Sequence, residues 1–431
     1  MKIGSAYFGL FALLVASLAR CASTDSLIPE MLRNIHASGI NRDPAVNQGL
    51  GGLWINWRYG SKPLQTNFQG SGQTDGPSDK MRHDVLTDFR YLHNLLLWKE
   101  QHPADHEFDA DLELFRQIVG REFANTHNER GWLYDELIDM YRLSKDDFFR
   151  RTARGLAEAY ATLFSRPPAG FLYKTSPAHP NGYYRVDLVL EAGCALIQAG
   201  REFSEPAWEA KGRAAVDFVY AHAYLGRYRT FLFIMDDLLA PDGTLNANES
   251  IYRDRSGRYL IDGGVVRMGS LGQMAASLLH AYIATEDKIF LDRATGLLDA
   301  LSPGENTLGL WDERDLGYFM SAVFPGALFR DPGIPRVNRS KKESGRQAHM
   351  LEAVAVANRL THGRYRKLEN AMLQVVTTRA YYQPGHGILY EQAPDWSLLP
   401  LKSGGFEDWV TSEALGIALE ALQQRNREKP W

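Results

Sequence analysis

The sequence predicts an all-α chain folded as a closed ring of six helical hairpins. Three observations carry that prediction. Six stretches look alike: each opens on charged or aromatic residues and runs into a mostly apolar helix, beginning near Arg82, Arg130, Tyr183, Arg267, Ser344 and Glu407. Most are followed by a more amphipathic helix, near 109–123, 145–164, 205–224, 287–301 and 365–380. Finally, no Ser/Gly/Pro linker or low-complexity run long enough to divide the chain follows residue 80, so one domain is expected over 81–431.

Residues 1–22 read as a secretory signal. Lys2 is the only charge before Arg20, the apolar run over 6–19 is short for a membrane span, and small residues follow it. Leu18-Ala19-Arg20-Cys21 has the outline of a lipid-attachment site, but arginine directly before the cysteine suits it poorly. A secreted, extracellular or periplasmic chain without stable membrane insertion is therefore expected. Residues 23–80 are expected as an N-terminal extension packed on the ring. Ser26 would cap a short helix through about His36, and a Gly- and aromatic-rich loop with one short strand would follow. That short helix is the candidate for the twelfth, closing the ring from N-terminus to C-terminus. The GSGQTDG stretch lacks the lysine and the strand-to-helix setting of a phosphate loop.

The paired helices differ in a way that separates inside from outside. In KDDFFRRTARGLAEAYATLF, Phe149, Ala153, Leu156, Ala157 and Tyr160 share one stripe, with charges opposite, as on an outer helix with one buried face. VDLVLEAGCALIQAG is apolar nearly all round, as an inner helix touching several neighbours would be. Two long intervals, 226–266 and 303–342, carry turn residues and alternating apolar residues and read as β-hairpins over the mouth of the ring; HGILYEQAPDW reads as a smaller one.

Composition is ordinary for a globular protein, 45% hydrophobic and 23% charged. The formal net charge is -4 with no block of like charges, which argues against a nucleic-acid partner. Trp54, Trp57, Trp132, Trp311, Trp396 and Trp409 all fall in or beside loops. Such aromatics stack on pyranose faces in sugar clefts, or equally plug loop cores. Beyond Cys21 only Cys194 remains, inside an apolar helix, where an inert buried thiol is expected. Asn248 and Asn338 open glycosylation sequons in the long intervals.

The six-fold alternation, the Trp-Asp and Gly-Tyr loop GLWDERDLGYFMS and the closing VTSEALGIALEAL resemble the six-hairpin, (α/α)6 toroid superfamily over about residues 80–426. That group holds glycoside hydrolases, polysaccharide lyases and N-acylglucosamine 2-epimerase-like proteins. The resemblance implies a ring whose inner helices open their N-terminal ends at one mouth, and an oligosaccharide or polysaccharide substrate. It is architectural, and no single family's catalytic motif is matched, so function must be argued from the site.

On that geometry the first turns of the inner helices supply the candidates: His83 and Asp84; Trp132, Asp135 and Glu136; Arg185 and Asp187; Arg267 and Gln273; Glu343, Arg346, Gln347 and His349; Glu407, Asp408, Trp409 and Glu413. Helix capping competes with catalysis as the reading of any one acid. Glycoside hydrolysis needs one protonated and one ionised carboxyl group. Asp84, beside Arg82 and His83, and Asp187, among apolar residues two after Arg185, form the expected pair, with Glu136, Glu343 and Asp408 in reserve. Trp132, Arg185, Arg267, Arg346, Gln347, Asp408 and Trp409, with His83, would bind substrate. His349 beside Arg346 and Glu352 keeps a sugar epimerase open, with His83 and His127 as possible partners. Tyr183 or Tyr184 would serve a lyase, and a glycan-binding scaffold is the reading without catalysis. No cofactor is expected. No metal motif stands out either: His102-Pro-Ala-Asp-His106 lies in a turn, and Asp236-Asp237 reads as loop carboxylates.

Overall fold

A computed structural model describes residues 24–44, 46–62, 85–123, 130–163, 173–176, 179–236, 263–325, 333–400, 405 and 407–427. Among these, twelve α-helices alternate between an inner and an outer ring. The inner helices are α2 (Val85–Gln101), α4 (Trp132–Ser144), α6 (Val186–Glu202), α8 (Met268–Thr285), α10 (Arg346–Leu360) and α12 (Ser412–Asn426). The outer ones are α1 (Thr24–Asn34), α3 (Asp109–Glu122), α5 (Asp147–Leu163), α7 (Pro206–His222), α9 (Lys288–Leu301) and α11 (Arg366–Gln374). Each inner helix packs on the next, and α12 packs on α2, so the inner ring closes. The fold is an (α/α)6 toroid. Its twelfth helix is α1, which lies against α12 and ties the N-terminal segment to the C-terminal hairpin.

Burial follows the sequence patterns. Every residue of α6 from Val186 to Ile197 is buried, because an inner helix has neighbours on all sides. On α5 only Phe149, Ala153, Leu156, Ala157, Tyr160 and Ala161 are buried, the expected stripe with one addition. Cys194 is a buried free thiol whose pKa burial pushes well above the ordinary value.

The hairpin expected within 303–342 forms, Ser321–Pro325 against Arg336–Asn338, but the mouth also pairs strands across loops. Short strands run straight into inner helices: His179–Arg185 into α6, Gly263–Arg267 into α8 and Val410–Thr411 into α12. Apart from Tyr173–Ser176, which pairs locally with His179–Arg185, their partners come from other loops. Gly263–Arg267 pairs with Ser321–Pro325, which pairs with Arg336–Asn338. His179–Arg185 pairs with Tyr173–Ser176 and Ile234–Asp236, Val410–Thr411 with Asn56–Trp57, and Lys342–Glu343 with Glu391–Gln392. A strand fixed to the start of an inner helix meets the adjoining loop at the rim, and that loop supplies its hydrogen bonds. Four of the loop tryptophans, Trp57, Trp311, Trp396 and Trp409, are buried. They plug loop cores; Trp311, for example, packs edge-on against buried Tyr318 at 5.0 Å. No helix among the described residues is long and apolar enough to cross a membrane.

Candidate active site

Polar groups on the inner helices converge on the axis of the ring, in an upper and a lower cluster. The upper cluster is built on the start of α6. Asp187, in the first turn, is 1% exposed. Arg185, which precedes the helix, donates to it from both arms of its guanidinium, with Nε to Oδ1 at 3.0 Å. Ser270 of α8 donates at 3.1 Å and Arg130 forms an ion pair at 3.5 Å. Burial alone would raise the Asp187 carboxyl, but Arg185, Arg130 and Ser270 outweigh it and hold the group below its ordinary value. Asp187 is ionised at neutral pH.

One turn further along the same face stands Glu191, also 1% exposed. Among the described residues, neither of its carboxyl oxygens has a hydrogen-bond partner. Burial pushes this group up to about 8 and the Asp187 charge adds to the effect, against the pull of Arg130, Arg185 and Arg346. Glu191 therefore carries its proton at pH 7. The backbone of Gly131 lies directly on this turn: a Cβ there would stand 2.2 Å from the Glu191 carbonyl carbon. Only glycine allows α4 to approach α6 so closely, and that approach brings Arg130 to Asp187.

Around these two acids, Arg267 is bonded to buried Glu343, whose pKa is lowered because Arg267 and Arg346 outweigh its burial. Arg346 is bonded to Glu413 and stands 3.4 Å from His349 Nε2. Burial, reinforced by Arg346, Arg90 and Arg130, lowers His349 well below the ordinary histidine value, so its ring is neutral. A Cβ on Gly272 would meet the His349 backbone at 2.9 Å, so glycine is what lets α8 and α10 seat this histidine.

The lower cluster is a buried ion network. Arg90 bridges Glu136 at 3.0 Å and Glu420 at 2.8 Å, and lies 4.0 Å from the ring centre of Trp132. His93 joins Glu420 at 3.1 Å to Asp139 at 2.9 Å, and Arg427 reaches Asp139 at 2.8 Å. Burial and Glu420 raise Glu136 well above its ordinary value, whereas Arg90 and His93 outweigh burial at Glu420 and lower it. A cavity opens here, lined by Arg90, Trp132, Glu136, His349, Glu352 and Glu420 among others, with about 20 Å³ open to the centre of a water molecule. That is room for about one water. Burial pushes Glu352 up to about 8. The ligand atoms of His93, Glu136 and Glu420 lie within 4.8 Å of one another. Arg90 and His93 already bond to these glutamates, Arg90 to both and His93 to Glu420.

The structure thus gathers Asp187, Arg185, Arg267, Glu343, Arg346 and His349 in the upper cluster, and Trp132 and Glu136 in the lower one. Gln273 lines the cavity and Asp135 is bound to His280 at 2.9 Å and to Gln198 at 2.7 Å. Gln347 is taken up by backbone: Tyr318 N–H donates to it and its amide donates to the Tyr318 and Glu343 carbonyls. Asp408 and Trp409 both meet Arg58, the first in an ion pair at 2.8 Å, the second under its guanidinium at 4.2 Å. His83, Asp84, His127, Asp237, Asn248 and Cys21 lie outside the described residues, as do the side chains of Tyr183 and Tyr184. Sequence reasoning missed Glu191, Arg90, His93 and Glu420. The available signal was a lone acid inside an apolar run, as in LVLEAG and IALEAL, and for Glu191 its four-residue spacing from Asp187.

No family model and no curated protein matches the sequence. Solved structures do match the fold. An unsaturated glucuronyl hydrolase specific for heparin superposes with a TM-score of 0.59 at 15% identity, covering 93% of this chain and 95% of its own. The GH76A α-1,6-mannanase from Salegentibacter sp. HEL1_6 gives 0.58 at 12% identity, with 93% and 98% covered. A D-mannose isomerase gives 0.60 at 12% identity, with 94% and 97% covered. The chain shares the six-hairpin toroid with these proteins along nearly its whole length.

Proposed function

We propose that the chain is a secreted carbohydrate-active enzyme, a glycoside hydrolase working with Glu191 as general acid and Asp187 as base or nucleophile. The observation that carries this reading is the opposite protonation of two buried carboxyls one turn apart. Glycoside hydrolysis needs such a split: one group gives its proton to the departing glycosidic oxygen, while the other activates water or bonds to the anomeric carbon. The toroid is shared with two hydrolases of glycosidic linkages, which supports the class.

A second reading rests on His349. A neutral imidazole beside Arg346, one turn from the protonated Glu352, suits proton transfer at a carbon next to a carbonyl. The isomerase that shares the fold supports it. The experiment is a panel of polysaccharides and oligosaccharides incubated with purified protein in deuterated water. New reducing ends, lost in Asp187→Asn, establish the hydrolase. Deuterium entering a sugar carbon without chain cleavage replaces it with the isomerase.

A further inference from the structure

Four neighbouring inner helices begin with an arginine. Arg130 stands one residue before the N-cap of α4, Arg185 and Arg267 are the N-caps of α6 and α8, and Arg346 is the first residue of α10. This is the wrong residue for the place. Arginine has no acceptor with which to cap free N–H groups, and its charge opposes the positive end of the helix dipole. The four side chains are also largely removed from water, 24%, 21%, 19% and 18% exposed in chain order. Phe233 holds two of them, with the Arg185 and Arg267 guanidiniums 4.6 and 5.6 Å from its ring centre.

Capping and the helix dipole both disfavour an arginine at each of these four places. Asp187 pairs with Arg185 and Arg130, Glu343 with Arg267 and Glu413 with Arg346. Within the same cluster, both oxygens of Glu191 and Oε2 of Glu343 are buried without a hydrogen-bond partner among the described residues. Among the described residues no acceptor takes the Glu191 proton, and a sugar seated against the guanidiniums would supply one.

We infer that this ring of arginines is a recognition site for an anionic sugar, a carboxylate-bearing residue of the substrate seated between Arg130, Arg185, Arg267 and Arg346. The forked guanidinium matches a carboxylate in two-point geometry, and four inner-helix N-termini add their dipoles with the same sign. The inference rests on the carbohydrate reading of this site, and names its substrate class as uronate-containing glycans.

The test is calorimetric binding of glucuronate and of glucose to the full chain. Glucuronate is expected to bind about ten-fold tighter or more, and added salt to narrow the difference. In Arg130→Gln and Arg267→Gln, checked for native helicity, the preference should fall towards parity. Equal affinity for the two sugars in the wild-type protein, binding of neither, or inorganic sulfate binding as tightly as glucuronate overturns the inference without recourse to a variant. Cleavage of neutral glycans alongside equal affinities would sink the anionic site and leave the hydrolase standing. A glucuronate preference with no cleavage of any glycan would do the reverse.

Discussion

Asp187 and Glu191 occupy successive turns of one face of α6, and their surroundings drive them to opposite charge states. Both are equally buried, so burial does not distinguish them. Arg185 and Ser270 hydrogen-bond to Asp187, whereas among the described residues nothing donates to Glu191. Because the acid must hold its proton, kcat/KM should fall as pH rises through about 8. Asp187 lies below its ordinary value, so activity should persist at acidic pH until that carboxylate is protonated. A pH–rate profile on the best substrate checks both limbs; a flat alkaline side to pH 10 would remove Glu191 from the acid role.

Gly131→Ala should be among the most damaging single-methyl additions. The new Cβ meets backbone atoms of Glu191 and Ala192 at 2.2 to 2.4 Å, so α4 has to move off α6. A loss of about 3 kcal/mol is expected, at the upper end for overpacking. Gly120→Ala on α3 is the control, since no atom lies within 4 Å and alanine favours the helix. Urea denaturation of both variants compares them; similar stabilities would contradict the close approach.

Glu352 ties stability to pH. Its ordinary value is 4.5 and its folded value is raised to about 8, so the folded state holds a proton that the unfolded chain releases. Stability from this group therefore falls as pH rises from about 4.5 to 8. Glu352→Gln removes the effect. Its melting temperature relative to wild type should rise between pH 5 and pH 8, by about 2 °C or more. A difference independent of pH would show that Glu352 is ionised in the fold.

His349→Ala separates the two catalytic readings. The hydrolase does not route a proton through this ring, so turnover should stay within about ten-fold of wild type, whereas losing a general base costs about 100-fold or more. Melting temperature must be measured alongside, because His349 is fully buried in the contact between α8 and α10.

Much of the fold is legible in the sequence, since inner helices are apolar all round and outer helices carry a stripe. Less of the site is. Asp187 is recognisable as a first-turn acid beside an arginine. Glu191, Glu352 and Glu420 sit deeper in apolar helices, where only closure of the ring shows that they face the axis and each other. The strand pairing of 263–267 with 321–325 is equally hidden, because α8 and α9 lie between the two partners. The partner first assigned to Asp187, Asp84, lies outside the described residues. The proposed mechanism puts Glu191 in that place.

The role proposed for Glu191 is that of proton donor in a glycoside hydrolase. It is tested most directly by reducing-end release from neutral and uronate-containing oligosaccharides by the wild-type protein and Glu191→Gln. The amide keeps the shape of the protonated carboxyl and cannot give up its proton. Wild type should release ends from at least one class, and the variant should be about 100-fold slower or worse while still binding that substrate. Equal rates for the two proteins would rule Glu191 out as the proton donor.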